Sequence, residues 1–187
     1  MNAILARAVV LLAVSAAPAV AALPSSGERL AAMCAGCHGT RGASPGTHIP
    51  VIGGQNAEYV KKAMKGFKDG SRPGGVMSNL AKGYSEQQLD DMSVAVAGWK
   101  WQNSPENSGK GKNKRSASGT ESCAACHGRK GTGTPLGPHI AGQPAGYIRE
   151  ALNEYRSGRR TAPEMGMVKG LSEADVDRLA QYYSRVK

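Results

Sequence analysis

The chain has 187 residues, four cysteines and a formal net charge of +10. Hydrophobic residues make up 40% and aromatics only 5%, a balance that excludes both a disordered tail and a membrane bundle. It leaves enough apolar matter for one modest core; two half-size cores would be thin without a disulfide, a metal or a bound group.

Residues 1–22 read as a signal peptide. Arg7 is the only charge in residues 1–23, Ala8–Ala17 is a largely apolar run, and Ala19-Val20-Ala21 supplies small residues for cleavage. The run is shorter than the roughly 20 residues a spanning helix needs. No later segment could span a bilayer, so no transmembrane anchor is expected after cleavage. The expectation is an exported, periplasmic protein. Without Arg7 the positive excess is evenly spread: residues 23–101, 102–120 and 121–187 each carry +3. Such charge steers encounters with acidic protein faces or anionic lipid; no nucleic-acid partner is expected outside the cytoplasm.

The predicted elements are helical, and nothing reads as a sheet. Ser25 and Glu28 form a possible capping box before the first cysteine pair. Tyr59, Val60, Ala63, Met64 and Phe67 share a helical face that ends at Gly70. Ser85 and Gln88 cap a third helix running to about Trp99. Gln102–Thr120, rich in Asn, Ser, Gly and Lys, reads as a linker. Ser118 and Glu121 repeat the capping box. Tyr147, Ile148, Ala151, Leu152 and Tyr155 repeat the amphipathic face to Gly158, and Ser172 opens a last helix ending near Tyr183.

The two halves are copies. Cys34-Ala35-Gly36-Cys37-His38-Gly39 recurs as Cys123-Ala124-Ala125-Cys126-His127-Gly128, and Pro50-Val51-Ile52-Gly53-Gly54-Gln55 as Pro138-His139-Ile140-Ala141-Gly142-Gln143. Tyr59 and Tyr147, Phe67 and Tyr155, Gly70 and Gly158, Met77 and Met165, Ser85 and Ser172 follow in register, with the offset held between 87 and 89. The expected organisation is all-α: a domain over 23–101, a linker over 102–120 and a second domain over 121–187.

Cys-x-x-Cys-His is the attachment sequence of c-type haem. Two cysteines one helical turn apart can each bond a vinyl group of a porphyrin, and the adjacent histidine then meets the iron. A covalent porphyrin would also supply the core these aromatic-poor halves lack. Rival readings are a zinc half-site, a redox dithiol and two disulfides. Zinc needs four ligands, and His48 and His139 do not occupy matching repeat positions. A dithiol leaves the histidine after each pair unexplained. Export permits disulfides, but not for a reason that places a histidine twice. Two covalently bound haem c groups are expected, on Cys34 and Cys37 and on Cys123 and Cys126, with His38 and His127 on the irons.

Met77 and Met165, seven residues beyond equivalent glycines, are the expected sixth ligands. Met77 reads as a loop residue. Met167 competes in the second half, and the count from Gly158 selects Met165. Met33, Met64 and Met92 read as packing. Pro50 and Pro138 can accept, through their carbonyls, a hydrogen bond from the other nitrogen of each histidine ring; the plain alternative is a proline that stiffens a turn. His48 and His139 read as exposed loop residues. Lys61, Lys62, Lys65 and Lys68 form a charge cluster, either a docking face or a solvated helix face.

At these residues the chain resembles the periplasmic dihaem cytochromes c of the two-domain "c-four" type, and among them the cytochrome subunit of flavocytochrome c sulfide dehydrogenase. The likeness covers nearly all the mature chain and is strongest over Cys34–Thr40 and from Gly66 through Met77 to Ser85. It implies tandem cytochrome c-like domains facing each other across a pseudo-twofold axis, with His/Met ligation carried onto His38 with Met77 and His127 with Met165. It implies no catalytic residue on this chain: the cytochrome accepts electrons from a separate sulfide-oxidising flavoprotein and passes them to a downstream cytochrome or oxidase. One departure is visible, since Met165 to Ser172 is one residue shorter than Met77 to Ser85.

Three functions compete. An electron carrier, fixed to a flavoprotein or shuttling freely to a terminal oxidase, needs saturated irons. A dihaem peroxidase-like enzyme needs an open iron position, against which two matched methionines argue. A non-haem module stapled by disulfides would use the cysteines alone.

Overall fold

The computed structural model describes residues 25–105 and 119–186. The expected signal peptide and the central residues of the expected linker lie outside that range, as does Ser118 of the expected second capping box.

In the first half, α1 (Ser26–Ala31) starts at Ser25, whose hydroxyl accepts the Glu28 N–H at 3.1 Å. A 3-10 turn, Ala32–Cys34, leads into α2 (Ala35–His38). α3 (Ala57–Asp69) is capped by the Asn56 side chain, whose Oδ1 accepts the Tyr59 N–H at 3.0 Å, and ends on left-handed Gly70. α4 (Val76–Lys82) and α5 (Glu86–Gly98) follow, the latter behind the full Ser85/Gln88 capping box. In the second half come α6 (Thr120–His127), α7 (Ala145–Arg156), a 3-10 stretch Pro163–Gly170 and α8 (Glu173–Arg185), with a capping box at Ser172 and Asp175. α6 begins instead at Gly119 with no side-chain cap. Among the described residues the only β pairing is the isolated bridge Thr134–Gly137.

Packing repeats in each half. α1 and α3 lie against α5, and α7 lies against α8. The first core gathers Ala31, Leu89, Met92, Ala95, Val96 and Trp99, with Val60 and Met64 against it. The second gathers Ile148, Leu179, Ala180 and Tyr183. Leu89 and Val176 are fully buried, a contribution of about 1.5–3 kcal/mol each. The duplication recurs in the loops: Gly54 N–H bonds Val96 O at 2.9 Å, and Gly142 N–H bonds Tyr183 O at 2.8 Å.

The lysine cluster is largely neutralised within the first half. Lys61 pairs with Asp90, Lys65 with Glu86 and Asp90, and Lys68 with Glu86, tying α3 to α5. Met64 and Met92 pack as expected, but Met33 is 74% exposed.

Candidate functional site

The Cys-x-x-Cys-His segments form one helical turn ending in a glycine of positive φ, Gly39 (74°) or Gly128 (78°). Each turn buries its histidine: His38 is 7% exposed and His127 8%. In both rings Nδ1 donates to a proline carbonyl, His38 to Pro50 and His127 to Pro138, each at 2.8 Å. Burial lowers both imidazole pKa values and outweighs the carbonyl, which raises them. Each ring is therefore held neutral with Nε2 free to bind a metal.

No disulfide joins any of the four cysteines. Burial raises the pKa of Cys34 and of Cys123, the opposite of an activated redox dithiol. Among the described residues no three His, Cys, Asp or Glu side chains gather as a metal site, so a four-ligand zinc site finds no donors.

The methionines sit differently from expectation. Met77 lies in the first turn of α4, a short helix that sequence periodicity did not reveal, rather than in a loop. Gly75, at φ 49°, starts that helix directly after Pro73-Gly74, and this turn chemistry masks its period. Met165 lies in the 3-10 stretch and is half-buried, while Met167 is 53% exposed.

A cavity of about 750 Å³ opens between the halves. Cys123, Cys126, His127 and Met165 line it from the second half, and Tyr59 and Arg72 from the first. It also holds a cluster that sequence reading missed. Arg160 Nη2 donates to the Tyr59 phenol at 2.9 Å and Arg72 Nη2 to the Tyr147 phenol at 3.4 Å. Each guanidinium also lies over an aromatic ring of its own half, Arg72 over Phe67 at 4.4 Å and Arg160 over Tyr155 at 4.6 Å. Burial alone would raise the Tyr59 phenol, but the Arg72 and Arg160 charges outweigh it and pull it down to about 7. The signal was available: Arg72 and Arg160 stand 88 residues apart, as do Tyr59 and Tyr147.

These residues fit a porphyrin. Two cations, buried Arg160 and half-buried Arg72, line the cavity, and no ion pair joins either to a carboxylate among the described residues. A haem brings propionates of the opposite sign. Among the described residues the large apolar side chains left exposed are Met33, Ile49, Val76, Leu80, Val94, Leu136 and Met167. All except Val94 stand within three residues of Cys34, Pro50, Met77, Pro138 or Met165, where a flat apolar ring would cover them.

His139 corrects an expectation. It is half-buried, stacked on Trp101 with centroids 3.6 Å apart and planes 7° from parallel. Burial pulls its pKa down to about 4. His48 is exposed, as expected.

The cytochrome c family model matches residues 115–187. Cytochrome c4 of Pseudomonas aeruginosa is 31% identical over 170 residues, covering 86% of this chain and 85% of its own. The cytochrome subunit of sulfide dehydrogenase from Chlorobaculum tepidum is 46% identical over 76 residues, 40% of this chain and 68% of that one. The crystal structure of reduced recombinant cytochrome c4 from Pseudomonas stutzeri superimposes with a TM-score of 0.70 at 27% identity, covering 87% of this chain and 97% of that one.

Proposed function

This chain belongs to the cytochrome c4 family, and on that premise we propose that it is the periplasmic electron-accepting cytochrome of a sulfide-oxidising flavoprotein. As a member of the family it carries two haem c groups and transfers electrons; when bound, each haem supplies a one-electron iron couple. The rest of the chain's work is positioning. Cys34 and Cys37, and Cys123 and Cys126, anchor the two groups. His38 and His127 would hold the irons through Nε2, their rings oriented by the Pro50 and Pro138 carbonyls. Met77 and Met165 would hold the irons together with the histidines, a pair of donors that suits electron transfer rather than binding of a substrate at the metal. The signal peptide over 1–22 delivers the chain to the periplasm, and residues 102–120 link the two domains.

The observation that supports the sulfide reading is the 46% identity to the sulfide dehydrogenase cytochrome subunit over a stretch of 76 residues, against 31% to cytochrome c4 over 170. The second reading, a free shuttle to a terminal oxidase, draws on the cytochrome c4 likeness over most of the chain. Stopped-flow mixing of the oxidised holoprotein with a sulfide-oxidising flavoprotein and sulfide separates them. The subunit reading expects fast reduction and co-elution as a complex. Reduction only through a transient encounter, with no complex on gel filtration, would favour the shuttle.

A further inference from the structure

Two glutamines, Gln55 and Gln143, occupy the same repeat position and are 4% and 3% exposed. Each side chain reaches into the opposite half, and Gln55 Oε1 also accepts the Asn56 N–H of its own half at 2.9 Å. Gln143 Oε1 accepts the Val51 N–H at 2.8 Å, and its Nε2 donates to the Val51 carbonyl at 2.7 Å. Gln55 Oε1 accepts the His139 N–H at 2.8 Å, and its Nε2 donates to the His139 carbonyl at 2.9 Å. Each amide therefore makes the two-bond pairing of a β ladder with one residue of the opposite half.

The residue gripped is the one after the proline. The Val51 N–H and the Pro50 carbonyl belong to one peptide group, as do the His139 N–H and the Pro138 carbonyl. Each of these peptides thus accepts the histidine Nδ1–H at its oxygen and donates its own N–H to a glutamine from across the interface. Two continuous chains result. One runs His38 Nδ1–H, Pro50–Val51 peptide, Gln143; the other runs His127 Nδ1–H, Pro138–His139 peptide, Gln55. A peptide whose N–H is bonded carries more charge on its oxygen, so the bonds strengthen one another. The outer partner of a ligating histidine sets its orientation and basicity.

We propose that Gln55 and Gln143 are positioning residues that act crosswise: Gln143 of the second half tunes His38, and Gln55 of the first half tunes His127. The interface thereby reaches both ligand imidazoles without touching either. Separating or shearing the halves would loosen both histidines together. This inference rests on His38 and His127 being iron ligands, as read above.

The test uses the matured holoproteins of Gln55→Leu and Gln143→Leu, which keep side-chain bulk and lose both hydrogen bonds. Two quantities are read for each haem: the reduction potential, by optical titration, and the solvent exchange of its histidine Nδ1–H, by NMR. Gln55→Leu is expected to speed exchange at His127 and raise the potential of the second haem, because a weaker bond leaves the imidazole a poorer donor to ferric iron. Gln143→Leu is expected to do the same at His38 and the first haem. A response confined to the variant's own half, or none at either ring, would overturn the proposal. If a leucine variant does not mature, the corresponding Gln→Glu variant, which keeps and when ionised strengthens the acceptor for the peptide N–H, is read by exchange alone: exchange is expected to slow at the histidine of the opposite half, and a change confined to the variant's own half, or none, would overturn the proposal. Wild-type holoprotein lacking both ligated-histidine signals would instead overturn the ligand assignment itself, and with it the proposal.

Discussion

Arg160 donates a hydrogen bond to the Tyr59 phenol at 2.9 Å, although 101 residues separate them in the chain. Its repeat partner Arg72 reaches Tyr147 in the opposite direction. The halves thus exchange cations, one buried and one half-buried, at the cavity where haem is expected. A cation stabilises the reduced haem, which carries one more electron. Arg72→Gln and Arg160→Gln should therefore each lower a reduction potential, by on the order of tens of millivolts for a partly buried charge. Optical redox titration checks this; unchanged or raised potentials would place the arginines away from the haem.

The second iron's sixth ligand separates by mutation. Met165→Ala should abolish that haem's sulfur-to-iron charge-transfer band and let it bind cyanide or carbon monoxide, while Met167→Ala should leave both properties intact. Met77→Ala should do to the first haem what Met165→Ala does to the second. Loss of the band in Met167→Ala would move the ligand by two residues.

His139 predicts a pH dependence. In the folded protein it protonates near pH 4, against an ordinary value of 6.5. The unfolded chain then binds more protons between those values, so stability is complete above pH 6.5 and falls as pH drops toward 4. The ring is only half-buried, and solvent screening reduces the slope below that of a fully buried group. Replacing His139 with Phe keeps a ring on Trp101 and should flatten the difference in denaturant midpoint between about pH 7 and pH 5. An equal slope in wild type and variant would remove His139 as the source.

Gly54 has φ of 73°, and a Cβ there would lie 2.7 Å from Trp101 N and 2.8 Å from Trp99 O. Both neighbours are backbone and cannot swing aside. Gly54→Ala should cost more than about 1 kcal/mol, read as a lower denaturant midpoint, whereas Gly98→Ala, where nothing stands within 4 Å of the added carbon, should be near neutral or stabilising.

Much of this was legible in the sequence because the chemistry is local. Cys34–His38 and its copy announce themselves in five residues each, and Ser85 with Gln88 announces a capped helix. Repetition did the rest, matching Met77 to Met165 and Pro50 to Pro138. What stayed hidden depends on how the copies face each other. Gln55 and Gln143 are visible in sequence only as a repeated pair, and the interface places each on the other half's backbone. Arg72 and Arg160 carry no sequence signal beyond their matching positions, and only the fold sets them against Tyr147 and Tyr59. His139 read as exposed because no local pattern discloses a stack on Trp101. The helix around Met77 was missed because Gly74 and Gly75 break the period at its start.

Intact-mass analysis of protein matured in a competent host tests the central claim most directly. One covalent haem per half predicts an added mass of two iron porphyrins, falling to one when Cys123 and Cys126 are both changed to Ser and to the other when Cys34 and Cys37 are. Unmodified protein, or a mass lowered only by the hydrogens lost in two disulfides, would contradict it.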